Sequence, residues 1–320
     1  MTKFIISTPA RLHLGFINLD SNKNRDFGSV GLTIDTFRTV IEAEESDKFQ
    51  IIGKNTKKAY SILDLFTKRY TLKPCKLNIK NCIPEHIGLG SGTQLALSIA
   101  TILFKISNKK LNIESFAQIA KRGNRSSIGI NCFKFGGFFV DAGRKKNSHK
   151  LSPIIFRELW PKSWKILLVN DVDNQGLFGD KENKEFKKIG NKSKSTRSQN
   201  CEALITNILP AIIEKDFEMF CMGIQIIQNN TAERFLGAQG GMFTSDKIGK
   251  IFNILEKNGT KGYGQSSWGP TSFIFCKNKS HRDETLKIIE NEIERFKFPK
   301  LKIFKVEGQN TGFKINKIGK

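Results

Sequence analysis

Apolar and polar residues alternate along the first part of the chain and then fall into helical spacing. Phe4 to Ile6 reads as a strand, and Arg11 and His13 alternating with Leu12, Leu14 and Phe16 predict a half-buried second one. Phe27 to Asp35 is a glycine-containing bend into another strand, and Thr39 to Glu44 and Phe49 to Ile52 continue a strand-rich region. Ile62, Leu63, Leu65 and Phe66 then recur at helical spacing, predicting a helix over Ala59 to Tyr70. A strand over Lys76 to Ile79 leads into a glycine-rich turn, followed by helices at Ser91 to Ile106 and Asn112 to Lys121. Gly136-Gly137 makes a turn before an apolar strand that ends at Asp141.

The polar, basic tract from Gly143 to Ser152 suggests a boundary, hence two domains, 1–150 and 151–320. Beyond it we expect a strand at Trp164 to Val169 and a charged surface loop from Asp180 to Gln199. Helices are predicted at Glu202 to Ile213, Phe217 to Asn229, Ile248 to Asn258 and Arg282 to Arg295. A Gly/Ser loop opens into a strand over Gly262 to Phe275, and a last strand spans Lys302 to Val306. Such a mixture defines an α+β chain.

Composition narrows the classes. With 320 residues, 38% of them hydrophobic and 26 Phe, the chain can bury a substantial core. No stretch approaches the ~20 apolar residues of a membrane span, and the N-terminus lacks a signal-peptide core, so no membrane is expected. The six cysteines are scattered without a CxxC pair, as in a reduced cytoplasmic protein. The net charge of +23 invites a nucleic-acid reading. It comes mostly from lysine spread along a chain also rich in Asn and Ile, which matches the codon usage of an AT-rich genome. No specific nucleic acid is therefore expected. A basic surface still attracts phosphorylated substrates.

The chemistry concentrates in Pro84-Glu-His-Ile-Gly-Leu-Gly-Ser-Gly-Thr-Gln94. Glycines let backbone approach a ligand, and a helix N-terminus offers unpaired N–H groups and a positive dipole end. Gly88, Leu89, Gly90, Ser91, Gly92, Thr93 and Gln94 therefore make a candidate phosphate site, with Ser91 and Thr93 able to reach a phosphate-bound metal ion. The spacing is neither a Walker loop nor a dinucleotide fingerprint. A second segment brings Arg122, Arg125 and Ser126, and a third brings Gln265, Ser266, Ser267 and Trp268. Arg11 and His13 share one side of their strand, where an anion fits.

Pro9-Ala-Arg-Leu-His-Leu-Gly15, Pro84 to Gly92 and Gly262 to Pro270 resemble, in order and spacing, the motifs of galactokinase, homoserine kinase and mevalonate kinase. The resemblance implies a GHMP-kinase-like fold: an N-terminal α+β domain, a ferredoxin-like C-terminal domain and a cleft between them. One departure matters. Where several of these kinases carry an Asp active in phosphoryl transfer, Ser126-Ser-Ile-Gly129 has a glycine, which cannot deprotonate a hydroxyl. With Gly136-Gly-Phe-Phe-Val-Asp141 and Ser266-Ser-Trp-Gly-Pro-Thr271, the chain looks like a non-kinase branch, the β-ribofuranosylaminobenzene 5′-phosphate synthases.

That branch implies phosphoribosyl pyrophosphate and 4-aminobenzoate or 4-hydroxybenzoate as substrates, release of CO2 and pyrophosphate, Mg²⁺, and a place in methanopterin biosynthesis. Pyrophosphate would rest on Gly88 to Gln94, with Ser91 or Thr93 toward Mg²⁺. Arg11, His13, Arg122 and Arg125 are candidates to anchor the aromatic acid, and Asp20 and Asp141 to stabilise the developing ribosyl cation. Trp268 is placed either to stack on the ring or to anchor its loop. An ATP-dependent kinase of a small alcohol and a non-catalytic phosphate-ligand or RNA-binding protein remain as alternatives, and a homodimer is entertained.

Overall fold

A computed structural model of the chain describes residues 3–19, 24–148, 150–174, 176, 194–239, 241–267 and 269–318. Its first strand, β1 (Lys3–Phe16), is continuous rather than two: every even-numbered position from Phe4 to Phe16 is buried, and the whole length pairs with one neighbour across two register shifts. A small ribbon pairs β2 (Arg25–Asp26) with Arg144–Lys145. β3 (Ser29–Glu45), also one strand where two were expected, runs antiparallel along β1. β4 (Gln50–Gly53) lies parallel to β5 (Cys75–Asn81). The free edge of β3 is divided: Val40–Glu45 pairs with β5, and Ser29–Leu32 with β6 (Phe138–Asp141).

Four helices cover this sheet: α1 (Thr56–Thr67), α2 (Ser91–Ile106), α3 (Ile113–Ile119) and α4 (Ile128–Lys134). Leu95, Ile99 and Leu103 of α2 join Ile6, Ile41, Leu77 and Ile79 of the strands and Phe116 of α3 in one apolar core. α4 was not expected from the sequence; its apolar residues are too few to show a period.

The ribbon strand Arg144–Lys145 is β7, and β8 (Ile154–Glu158) pairs with β6. The expected division at 150/151 therefore falls one strand early. A second sheet of β9 (Lys165–Asp171), β10 (Tyr263–Gln265), β11 (Thr271–Cys276) and β12 (Leu301–Glu307) has the order β10-β11-β9-β12, all antiparallel. That is the ferredoxin-like order. The chain then returns: β13 (Lys314–Ile318) pairs with β1 and completes seven strands in the first sheet. The C-terminal segment thus closes the N-terminal layer, which no local pattern announces.

Between the sheets run α5 (Lys194–Glu202), a π-helical stretch Ala203–Ile208, α6 (Leu209–Glu214) and α7 (Phe217–Gln239). α7 continues well past the expected end at Asn229. Ile166, Leu168, Phe273 and Phe275 share a core with Phe220 and Ile224 of α7 and with Leu12 and Ile34 of the first sheet. Their neighbours Leu167, Val169 and Ile274 point the other way, to α8 (Asp246–Lys257) and α9 (Lys279–Arg295). Burial on both faces explains why these strands read as unbroken apolar runs. All six cysteines are free. Among the described residues no helix is long and apolar enough to cross a membrane.

Candidate active site

Three segments far apart in sequence meet at the start of α2. Gly88 (φ 81°) and Gly90 (φ 85°) hold left-handed conformations that a side chain resists. A Cβ on Gly88 would also lie 2.2 Å from the Ser266 carbonyl oxygen, and one on Gly269 would lie 2.3 Å from Gly88 N. The second and third motifs therefore touch backbone to backbone. β1 fastens both. Arg11 donates from Nη1 to the Gly88 carbonyl and from its backbone N–H to Leu89 O at 3.2 Å. Ser266 Oγ donates to Gly88 O at 2.8 Å and accepts from His13 N at 3.0 Å.

The result is a helix start with no side-chain cap. Thr93 N and Gln94 N turn back to Gly90 O, whereas Ser91 N and Gly92 N make no hydrogen bond among the described residues. These open N–H groups lie where the sequence predicts an anion site. Arg122 completes the receptor: a Cβ on Gly92 would sit 3.2 Å from both of its terminal nitrogens. The chain delivers Arg122 there because Lys121 (φ 53°) and Gly123 (φ 81°) wrap it back after α3. Burial lowers the Arg122 pKa and the nearby Glu85 opposes this, yet its Nε is buried without a partner. Glu85 is itself ion-paired with Lys58. A half-buried guanidinium in this state favours an incoming anion.

His13 is buried, and neither ring nitrogen has a hydrogen-bond partner. Burial lowers its pKa well below the usual histidine value, and Arg11 and Arg125 push the same way. It is a neutral imidazole beside two cations, with its ring 4.4 Å from that of Phe16. As an anchor it offers one donor and one acceptor, not a positive charge.

Other expected residues turn inward. Asp141 is fully buried and accepts from Ser127 N (2.9 Å), Ser127 Oγ (3.1 Å), Ser126 Oγ (3.2 Å) and Gly143 N (3.0 Å). Burial raises its pKa to about 6 against those bonds. Its carboxylate holds the turn into α4, so it is placed as a brace and not as the expected stabiliser of a ribosyl cation. Gln94 is likewise buried and donates to Gly129 O at 2.8 Å. Gln265 accepts from Thr244 N at 2.7 Å and donates to Ser267 O at 3.2 Å, bracing the third loop. Ser267 (φ 59°) sits at its strained tip. Asp20 and Trp268 lie outside the described residues.

At Gly129 a Cβ would meet the Thr93 methyl at 3.4 Å. The position where the kinases carry an Asp therefore faces Thr93 of the phosphate loop with no carboxylate. For Mg²⁺ the local donors are the Ser91 and Thr93 hydroxyls; Glu85, the nearby carboxylate, is already paired with Lys58. Among the described residues no three His, Cys, Asp or Glu side chains gather in a metal-binding group. Protein-held Mg²⁺ ordinarily uses one or two carboxylates besides substrate oxygens, so these donors do not fit a resident ion.

Sequence reasoning missed a polar patch at the end of β1, where Thr196, Asn200, Asn230, Thr231 and Arg234 gather around Ile17 and Leu19. Arg234 donates to Thr196 Oγ1 at 2.7 Å and Asn230 to Asn200 Oδ1 at 2.7 Å. One signal was available: Asn229-Asn230-Thr231 interrupts the apolar stripe of α7 with poor helix formers.

The architecture and the glycine loop that opens α2 point to the GHMP kinase class. Residues 57–138 match the GHMP kinases N-terminal domain and residues 208–294 the GHMP kinases C-terminal domain. Homoserine kinase from Cytophaga hutchinsonii superposes with a TM-score of 0.69 at 12% identity, covering 98% of this chain and 97% of that one. Mevalonate diphosphate decarboxylase from Staphylococcus aureus gives 0.68 at 14%, covering 99% and 98%. These likenesses establish the fold. The chain belongs to a particular branch, the β-ribofuranosylphenol 5′-phosphate synthases. It is 30% identical over 310 residues to the one from Methanocaldococcus jannaschii, covering 86% of this chain and 90% of the relative. To the one from Methanothermobacter thermautotrophicus it is 29% identical, covering 87% and 90%.

Proposed function

We propose that the chain is a decarboxylating phosphoribosyltransferase of methanopterin biosynthesis, acting in the cytoplasm. It joins phosphoribosyl pyrophosphate to 4-hydroxybenzoate and releases CO2 and pyrophosphate. The relatives are named for a ribofuranosylphenol product, which favours the hydroxy acid over 4-aminobenzoate. The observation that supports the reading is an open row of N–H groups at the start of α2 facing Gly129, where several of the kinases carry a carboxylate.

The steps balance without an added reactant. The ribose C1–O bond breaks and its electron pair leaves with pyrophosphate. The ring carbon bearing the carboxylate, made electron-rich by the para hydroxyl, bonds to C1. The bond to the carboxylate then breaks, its electrons restore the aromatic ring, and CO2 departs. Ser91 N, Gly92 N and Arg122 receive the leaving pyrophosphate, so negative charge develops where donors already point. Arg125 and the neutral His13 are the anchors for the aromatic acid, with Arg11 holding the turn at Gly88 and Leu89. Mg²⁺ enters as part of the substrate complex with pyrophosphate.

Carbon-labelled carboxyl groups on both acids test the reading: labelled CO2 should appear from 4-hydroxybenzoate with phosphoribosyl pyrophosphate and no ATP. ADP formation from a small alcohol, with no CO2 from either acid, would return the chain to the kinases. The homodimer also stays as a proposal. Ile205, Ile213, Met222 and Ile226 are exposed on the helices between the sheets, and from Gln199 to Glu233 Lys215 is the one basic residue against five acidic ones. Sedimentation at the monomer mass would remove that proposal.

A further inference from the structure

A cavity of about 260 Å³ opens beside the phosphate loop, lined by Lys121, Arg122, Asn124, Arg144, Lys150 and Gln118 among others. Among the described residues no acidic side chain lines it. Its walls are built locally. Arg144 donates from Nε to Ser148 O at 2.7 Å and from Nη1 to Asn124 O at 3.5 Å, and Asn124 Nδ2 donates to Lys121 O at 3.3 Å. Arg122 is the shared wall: its guanidinium lies against Gly92 at the start of α2, and Arg122 also lines the cavity.

We infer that this cavity is a second anion subsite, taking the phosphomonoester end of a sugar phosphate whose other end lies on the start of α2. Two receptors that share one arginine match a ligand with negative charge at both ends. Phosphoribosyl pyrophosphate carries its pyrophosphate at C1 and its phosphate at C5, on opposite sides of the ribose. The cations supply charge-assisted bonds to the three terminal oxygens, and Gln118 and Asn124 supply neutral polar contacts. The identity of the sugar phosphate rests on the synthase reading; the anion subsite does not.

Calorimetric titration of the full chain with ribose 5-phosphate, pyrophosphate and inorganic phosphate separates the possibilities. A Lys121→Ala/Arg144→Gln double variant should lose ribose 5-phosphate affinity by about tenfold or more while pyrophosphate changes by less than about twofold. Arg122→Gln should weaken both. Arg144→Lys, which keeps the charge, should recover part of the ribose 5-phosphate affinity and guards against a folding artefact. Unchanged ribose 5-phosphate binding in the double variant overturns the inference. So does an equal loss for pyrophosphate, or inorganic phosphate binding as tightly as the sugar phosphate. Absent CO2 release with cavity-dependent ribose 5-phosphate binding would sink the reaction and leave the subsite standing; CO2 release with cavity-independent binding would do the reverse.

Discussion

The loop that opens α2 and the segment around α4 look alike in sequence: each combines glycine, serine and charge. In the folded chain they are opposites. The first is made of backbone, with Gly88 and Gly90 in left-handed conformations and the Ser91 and Gly92 N–H groups left open. In the second, Ser126, Ser127 and Asp141 bond to one another and Gln94 closes on Gly129 O. Polar side chains buried together satisfy each other, whereas a helix start without a cap keeps its donors for a ligand. A cluster of polar residues is thus a poor guide to a site unless something prevents its members from pairing.

The difference can be broken most severely at Gly88. Gly88→Ala puts a Cβ against the Ser266 carbonyl at a positive φ, so we expect a stability loss of about 2–5 kcal/mol and no CO2 release. Denaturant melts and the labelled-carboxyl assay read the two effects. Wild-type stability in that variant would mean that the loops are not pressed together as described.

Asp141→Ala should come next. It strands the Ser127 and Gly143 N–H groups in the core, costing about 3 kcal/mol. The fraction that remains folded should keep kcat within about threefold. A fall of a hundredfold or more at unchanged stability would restore Asp141 to a catalytic role.

His13 sets a smaller, pH-dependent effect. Its folded pKa lies well below the ordinary 6.5, so the unfolded chain binds the extra proton first. Its contribution is complete above about 6.5 and is lost on acidification at up to about 1.4 kcal/mol per pH unit. Asp141 runs the other way: with a folded pKa of about 6 against 3.8, its term grows as pH falls through that range. Comparing wild type with His13→Asn from pH 7 to 5 isolates the histidine. Parallel stability curves would show that the imidazole is already protonated or solvated when folded.

Gly129→Ala should matter least. Its Cβ meets Thr93 only at contact distance, and the helical position gains up to ~1 kcal/mol from alanine. We expect CO2 release within about twofold of wild type. A large loss would mean that ligand needs the space above Thr93.

Much of the site was legible because glycine leaves a local signature. Gly88, Gly90 and the Ser91 to Ile106 helix follow from residues adjacent in sequence, as do the long apolar strands. The placement of Arg122 did not, since Lys121 and Gly123 turn it onto Gly92 through left-handed conformations that few sequences advertise. Nor did the burial of Asp141 and Gln94, or the basic cavity, whose walls come from α3, the turn after it, β7 and the residues before β8.

By itself the amino-acid order marked most of the strands and helices, the glycine turn that opens α2, and the glycine where several of the kinases carry a carboxylate. Those properties depend on backbone preferences and spacing within a few residues. Only the tertiary structure decided which charges face the ligand and which are neutralised, and that β13 closes the first sheet. Burial and pairing arise between residues far apart in the chain, and they alone set whether a polar group is free to act.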